Sequence, residues 1–280
     1  MELVPQGGQS RSAAESLLKN SALIWPAVSI GNVGQLCVDL LINTEKTFHL
    51  KKIGILTSKF VLPLVGYLGA NSNQLTLALE VYHSSEWGIT VVQQRTPVII
   101  GKHDEFCEEV SQWIESIGFA SVLVLASSPA YRRSDRQLQG DSPDAIFGFQ
   151  ASPLSSSLAK AIQKLDVGRI EPSLFSHLTQ FFNEREQEKV DDILLPTIGT
   201  GFSRPLFLAC QRRQIDTAII YSFVNEGDNS FDGIMQADLL YRILSDTANK
   251  ERSPESVHWK VPLEWQFVFG GKFDPKIYLQ

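Results

Sequence analysis

The chain has 280 residues, of which 43% are apolar, and its formal net charge is −6 at pH 7. The apolar content is enough for a sizeable core, whereas the acidic balance argues against a general nucleic-acid binder, which needs a basic surface. Three cysteines lie far apart along the chain, which argues against a disulfide framework and is typical of a reducing compartment.

Residues 1–20 are polar and include two glycines and several serines, so we predict a flexible N-terminal segment. They lack the apolar stretch of a signal peptide. No apolar run in the sequence approaches the ~20 residues that span a bilayer. We therefore expect a soluble protein of the cytoplasm and nucleus that binds neither membranes nor nucleic acid.

The sequence before residue 104 predicts one helix among several strands. A strand over residues 23–28 contains Pro26, which removes a backbone donor and favours a short or edge strand. Apolar residues then recur at helical spacing from Val33 to Leu41, which predicts an amphipathic helix. The pattern predicts further strands over residues 53–56, 75–81, 88–92 and 97–100, the last three antiparallel, and an irregular loop over 62–69.

From residue 104 onward the sequence alternates helices and strands. A helix capped by Asp104 is expected to end at Gly118, before a strand over residues 122–125 that is apolar at every position and hence covered on both faces. The remaining predicted elements are a short strand at 145–149, a helix at 174–182, a strand at 192–196, a helix opening at Gly199-Thr200-Gly201, a strand at 215–224 and a helix at 235–244. This order predicts an α/β fold with a mixed β-sheet flanked by helices, in one domain over residues 21–270 with a C-terminal tail over 271–280.

Several strand-to-helix junctions resemble places where α/β proteins bind ligands. Residues 31–34, Gly-Asn-Val-Gly, either cradle an anion or form a tight turn, and they match neither a dinucleotide fingerprint nor a P-loop. Residues 199–204 offer hydroxyl groups and Arg204 at a helix start, as a phosphate site or as another turn. Glu226 and Asp228 either form an acid–base pair or belong to a polar turn in which Asp228 or the following Asn caps a helix.

Two other sets of residues complete the search for chemistry. Ser127 and Ser128 follow a strand, but the nucleophile elbow of hydrolases is absent. Arg132, Arg133 and Arg136 form either a surface contact patch or a solvated turn. The five histidines lack the spacing of a metal site. The sequence therefore assigns no catalytic, cofactor-binding or metal-binding residue.

Three of these segments carry a resemblance to a known family. They are Pro-Ala-Val-Ser-Ile-Gly-Asn-Val-Gly-Gln-Leu at residues 26–36, Ser127-Ser128 with Tyr-Arg-Arg-Ser-Asp-Arg-Gln-Leu at 131–138, and Phe-Val-Asn-Glu-Gly-Asp-Asn at 223–229. With Trp259 and Trp265, they make the chain similar to the proteasome assembly chaperone 2 family from about residue 23 to residue 269.

The resemblance implies a protein without enzymatic activity or cofactor, with a phosphorylase-like three-layer sandwich. It also implies a heterodimer with proteasome assembly chaperone 1 that binds the alpha-subunit ring of the 20S core particle, promotes its assembly and prevents off-pathway ring association. Some members of the group insert a tail of the pattern hydrophobic-tyrosine-any between alpha subunits.

In this sequence Ile277, Tyr278 and Leu279 have that order, but Gln280 follows them and displaces the terminal carboxylate by one residue. The tail is therefore expected either to bind the ring or to pack back on its own domain. Two other functions stay open from the residues alone. One is a nucleoside phosphorylase or hydrolase-like enzyme that uses residues 199–204 and Glu226, and the other is a ligand-binding regulatory domain.

Overall fold

A computed structural model of the chain describes residues 1–67, 75–133, 143–165, 167–170, 199–250 and 257–265. The strands are β1 Glu2–Pro5, β2 Ala22–Pro26, β3 Lys51–Thr57, β4 Val65–Tyr67, β5 Leu75–Leu77, β6 Leu79–Ser84, β7 Ile89–Gln94, β8 Ser121–Pro129, β9 Phe147–Ser152, β10 Gly168–Arg169 and β11 Thr217–Val224. The α-helices are α1 Arg11–Leu18, α2 Val33–Asn43, α3 Glu45–Phe48, α4 His103–Ile117, α5 Ser157–Gln163, α6 Ser203–Arg212 and α7 Ser230–Thr247.

Nine of these strands form one mixed sheet in the order β1-β3-β6-β7-β2-β8-β11-β9-β10. The four central strands, β7, β2, β8 and β11, run parallel to one another. Antiparallel strands flank them, with β6 beside β7 on one side and β9 beside β11 on the other. Strands β4 and β5 form a separate antiparallel hairpin. The predicted mixed sheet is therefore confirmed.

Helices cover both faces of the sheet and create two cores. Along β8, Val122 and Val124 belong to the core on one face, which includes residues of α1, α4 and α6. The alternating Leu123 and Leu125 belong to the core on the other face, with α2, α5 and α7. Because successive strand residues point to opposite faces, a strand covered on both sides is apolar at every position. The fold is thus a three-layer sandwich.

The N-terminal residues differ from the prediction of a flexible segment. Strand β1 pairs antiparallel with β3, and Leu3 is buried in the core. Ser10 caps α1 by accepting a hydrogen bond from the Ala13 amide at 3.2 Å, and Leu18 of the same helix is fully buried. The few apolar residues that anchor this stretch are separated by polar ones, so the composition of residues 1–20 did not indicate a strand and a helix packed on the core.

Several other boundaries also differ. Strand β2 lies in the centre of the sheet, and Pro26 is tolerated because it is the last residue of the strand. The single strand expected over residues 75–81 is divided between β5 and β6, and the loop predicted at 62–69 contains β4. Residues 97–100 provide only an isolated bridge, from Val98 to Val61.

The helix ends test the capping predictions. Helix α4 begins after Lys102 rather than at a cap formed by Asp104, and it ends as predicted at Gly118, whose φ is +76°. The predicted helix at 174–182 and strand at 192–196 lie outside the described residues. In the described part of the chain, no helix combines the length and apolar character required to cross a bilayer.

Candidate functional site

The carboxyl ends of β2, β8 and β11 meet at one edge of the sheet, because the three strands are neighbours and parallel. What we call the strand-end cluster comprises the loops after β2 and β11, the last three residues of β8 and the turn before α6: residues 28–34, 225–229, 127–129 and 199–201. The Ser127 amide donates to Ser29 Oγ at 2.9 Å, and the Ile30 amide donates to the Gly199 carbonyl oxygen at 2.7 Å. The structure therefore brings together segments that the sequence singled out separately.

Glycines allow these loops to approach one another closely. Gly201 has a φ of +60°, and an added Cβ would overlap the carbonyl group of Val28, 2.9 Å from its carbon. Gly31 has a φ of +69°, and a Cβ there would lie 2.8 Å from Cγ of Asn229. Left-handed backbone and the absence of a side chain are both required at these two positions. At these two glycines the segments of the strand-end cluster therefore lie in direct contact with one another.

The turn at residues 225–229 is held by its own polar groups. The Asn229 side-chain amide donates to the carbonyl oxygens of Asn225 and Gly227 at 3.1 and 2.9 Å. Asp228 accepts the Ser230 amide at 2.9 Å at the start of α7, and the bonds to Ser230 lower the pKa of this carboxyl group. The contacts thus support the polar-turn alternative for Asp228, which precedes the N-cap residue Asn229 and binds the first amide of α7, whereas the Asn229 side chain makes no capping bond.

The groups needed for catalysis are not assembled among the described residues. Ser127 and Ser128 are fully buried, and neither hydroxyl has a hydrogen-bond partner in the described part of the chain. A serine without a hydrogen-bonded base is not an activated nucleophile. Glu226 is exposed, while Arg204 is only partly exposed. No group of three potential metal ligands occurs in the described ranges.

Sequence reasoning missed a buried polar network beneath the β4–β5 hairpin. Glu80 is 1% exposed and accepts hydrogen bonds from Lys52 Nζ at 2.5 Å, Thr76 Oγ1 at 3.0 Å and the Leu77 amide at 3.2 Å. Arg95 donates to the same Thr76 hydroxyl at 2.7 Å. A buried charge is stable only when paired and hydrogen-bonded, so this network fixes the hairpin on the domain. The sequence feature that could have indicated this network is Glu80, a glutamate within an apolar strand pattern.

The two tryptophans of the C-terminal stretch pack against the helical layer. Trp259 stacks on Phe48 with ring centroids 5.8 Å apart, and its Nε1 donates to Asp238 at 2.7 Å. Trp265 is 7% exposed and belongs to the same core as α2 and α7. The predicted partner-binding residues Ile277, Tyr278 and Leu279 lie outside the described residues, as does Arg136.

The fold and the strand-end cluster together define a three-layer α/β protein in which the segments at the carboxyl ends of the parallel strands lie in close contact with one another. The sequence profile of the PAC2 family matches residues 23–229, and the chain belongs to this family. The match covers β2 from its second residue, all four segments of the strand-end cluster and the hairpin.

The chain is similar in sequence to known relatives over nearly its whole length. The chain is 32% identical to proteasome assembly chaperone 2 of Mus musculus over 269 residues, which cover 93% of this chain and 96% of the mouse protein. It is 35% identical to proteasome assembly chaperone 2 of Nematostella vectensis over 219 residues, covering 76% and 84%. A crystal structure of Pyrococcus furiosus PbaA, described as an archaeal homolog of proteasome-assembly chaperone, has the same fold with a TM-score of 0.56, 16% identity and 85% coverage of each chain.

Proposed function

We propose that this protein is a proteasome assembly chaperone subunit. In this proposal it forms a heterodimer with proteasome assembly chaperone 1, binds the alpha-subunit ring of the 20S core particle, promotes assembly of the ring and prevents off-pathway association of rings. The observation that carries the proposal is the similarity to relatives named proteasome assembly chaperone 2, at 32% identity over 93% of the chain for the mouse protein. Because the similarity extends over nearly the whole chain, it supports a shared role for the complete domain rather than for one motif.

The packing of the strand-end cluster supports a role without catalysis. The enzyme alternative needs residues 199–204 to bind phosphate and Glu226 to act as acid or base. Gly199 and Gly201 instead lie against Pro129 and Val28, and Glu226 points into solvent without a partner among the described residues. We therefore propose no enzymatic activity and no cofactor. Phosphate-dependent cleavage of nucleosides that disappears in Glu226→Gln would contradict this.

Reconstitution with purified subunits tests the proposed role. The tagged chain and proteasome assembly chaperone 1 of the same organism are co-expressed and then mixed with recombinant alpha subunits. We expect a one-to-one heterodimer in light scattering and, in native gels, more alpha rings and fewer associated double rings than without the pair. A chain that neither binds the paralogue nor changes ring formation would refute the proposal.

The tail remains part of this proposal. Pro275 favours an extended approach to the terminus, and Ile277, Tyr278 and Leu279 supply the apolar anchor. If Tyr278 fills a pocket of the ring, Tyr278→Ala should weaken ring binding roughly tenfold or more while the heterodimer stays intact. Deletion of Gln280 is the matched control, because it should leave ring binding unchanged or tighten it. Unchanged ring binding by Tyr278→Ala would show that the tail is not an anchor.

We also propose that the protein resides in the cytoplasm and nucleus. The scattered free cysteines, all buried, suit a reducing compartment. Fractionation of cells that express a tagged chain would test this, and recovery from a secretory compartment would contradict it.

A further inference from the structure

Residues 257–265, which we call the strap, lie against the helices on one face of the sheet. Their first attachment is Trp259, whose ring stacks on Phe48 at a centroid distance of 5.8 Å. The next residue, Lys260, donates its amide hydrogen to Thr44 Oγ1 at 3.1 Å. Because Thr44 is the C-cap residue of α2, this part of the strap lies at the carboxyl end of that helix.

The second attachment of the strap is Trp265, which is 7% exposed and packs in the core with α2 and α7. A glycine lets the two helices approach closely beside it. A Cβ on Gly233 would lie 2.8 Å from Cβ of Leu36 and 3.6 Å from Cη2 of Trp265. Trp265 Nε1 is buried and has no hydrogen-bond partner in the described part of the chain. Apolar contact therefore holds this ring in place.

The two attachments define the direction in which the strap runs. Gly233 and Leu36 lie at the beginning of α7 and of α2. These helices follow β11 and β2, so their amino ends lie at the strand-end cluster, where Gly31 lies against Asn229. The strap thus runs back from the carboxyl end of α2 to the amino ends of both helices. At Trp265 the chain has returned to the edge of the sheet that carries the strand-end cluster.

The strap changes the place from which the C-terminal residues leave the domain. Helix α7 ends at Thr247, 14 residues after Gly233, which is about 20 Å at ~1.5 Å per residue. Just beyond the helix, Lys250 is held by a hydrogen bond from its Nζ to Glu86 at 2.9 Å. Without the strap, the rest of the chain would start from this end of α7. With the strap bound, it starts about 20 Å away, at the opposite end of the helix.

We infer that Trp259 and Trp265 are positioning residues for the C-terminal tail: they hold the strap so that residues 266–280 leave the domain beside the strand-end cluster. The inference rests on the proposed function, in which Tyr278 of the tail binds the alpha ring. The tryptophans do not touch the ring themselves. They act by fixing the point from which the tail reaches its pocket and by shortening the chain between that point and Tyr278.

The length of this chain sets the size of the effect. From Trp265 to Tyr278 the tether is residues 266–278, or 13 residues, whereas from Lys250 it is residues 251–278, or 28 residues. For a flexible tether the effective concentration of the bound group falls roughly as the −3/2 power of its length, which gives about a threefold loss when the strap is released. The displaced starting point adds to this loss, because about 20 Å is comparable with the r.m.s. span of roughly 30 Å of such a tether.

Paired insertions test the inference without altering a buried residue. The same spacer of about 15 Gly and Ser residues is inserted either after Trp265 or between residues 253 and 254, before the strap. Each full-length variant is combined with proteasome assembly chaperone 1 and titrated with purified alpha rings. The insertion after Trp265 should weaken ring binding about threefold, because it doubles the tether. The insertion before the strap should leave ring binding unchanged, since both attachments still hold. Equal losses for the two insertions would overturn the inference.

Release of the strap tests the two tryptophans directly. Trp259→Ala combined with Trp265→Ala should weaken ring binding about threefold to tenfold, and replacement of both by Phe, which keeps the apolar packing, should restore most of the affinity. In a Tyr278→Ala background, release of the strap should have no further effect on ring binding. An equal loss in both backgrounds would show a purely structural role and refute the inference. Urea unfolding and light scattering check that each variant is folded and forms the heterodimer.

The outcomes separate this inference from the proposed function. If Tyr278→Ala leaves ring binding unchanged, the tail is not an anchor and the proposed function fails in that part, together with the inference. If Tyr278→Ala weakens ring binding but the two insertions have equal effects, the inference is wrong and the proposed function stands.

Discussion

Replacement of Gly201 by alanine tests whether the strand-end cluster is packed shut. The residue has a φ of +60°, and an alanine Cβ would overlap the carbonyl group of Val28, two residues after the end of β2. Gly88 supplies a matched control, since its φ is also +60° but an added Cβ there meets no atom within 4 Å. The two variants share the backbone penalty and differ only in the close contact.

The geometry gives the expected magnitudes. Left-handed backbone costs a residue with a Cβ about 1–2 kcal/mol, and the stiffer unfolded chain of alanine offsets about 0.4–1 kcal/mol of this. Gly88→Ala should therefore lower the free energy of unfolding by about 1 kcal/mol. At Gly201 the overlap with Val28 forces the loops apart, and overpacking of this kind adds about 1–3 kcal/mol. We expect Gly201→Ala to cost about 3 kcal/mol in total.

Urea unfolding followed by circular dichroism measures both free energies of unfolding. The midpoint of Gly201→Ala should lie clearly below that of Gly88→Ala, with similar slopes. Equal losses in the two variants, within about 0.5 kcal/mol, would refute the close packing of residue 201 against Val28 in the loop after β2. The strand-end region would then have room for a ligand, and the enzyme alternative would have to be reconsidered.

Three further outcomes follow from buried groups. Glu80→Ala should lower the free energy of unfolding by about 3–5 kcal/mol and speed amide exchange at Leu77, because it leaves Lys52 unpaired. The control Glu86→Ala, at an exposed ion pair, should have little effect on stability. Equal losses in the two variants would contradict the role of Glu80 in anchoring the hairpin. Burial lowers the pKa of His83 below its unfolded value near 6.5, so acidification from pH 7 to 5 protonates the unfolded state first and destabilises the fold. The His83→Gln variant should therefore lose less stability than the unmodified chain over this pH range. An identical pH dependence of the two proteins would count against the lowered pKa. The three buried cysteines should resist a thiol reagent in the native protein and react together in urea; rapid reaction of any one in native buffer would disprove its burial.

The sequence alone determined the elements whose signal is local. The stripe from Val33 to Leu41 became α2, and Gly118 ended α4 because its left-handed φ suits glycine. The uninterrupted apolar run at residues 122–125 became part of a strand covered on both faces. Each signal depends on the period and conformational preference of neighbouring residues, so one stretch of chain is sufficient to predict it. The junctions of the strand-end cluster were visible for the same reason.

Only the tertiary structure decided which segments meet. It placed β2 in the centre of the sheet despite Pro26, bound residues 2–5 to β3, and set the Gly201 loop against Val28. It also buried Glu80 beneath the hairpin and so turned the apolar side chains around Tyr67 outward. Contacts between residues far apart in the sequence depend on how all the layers pack at once, and that cooperative packing leaves no periodic trace in any single segment.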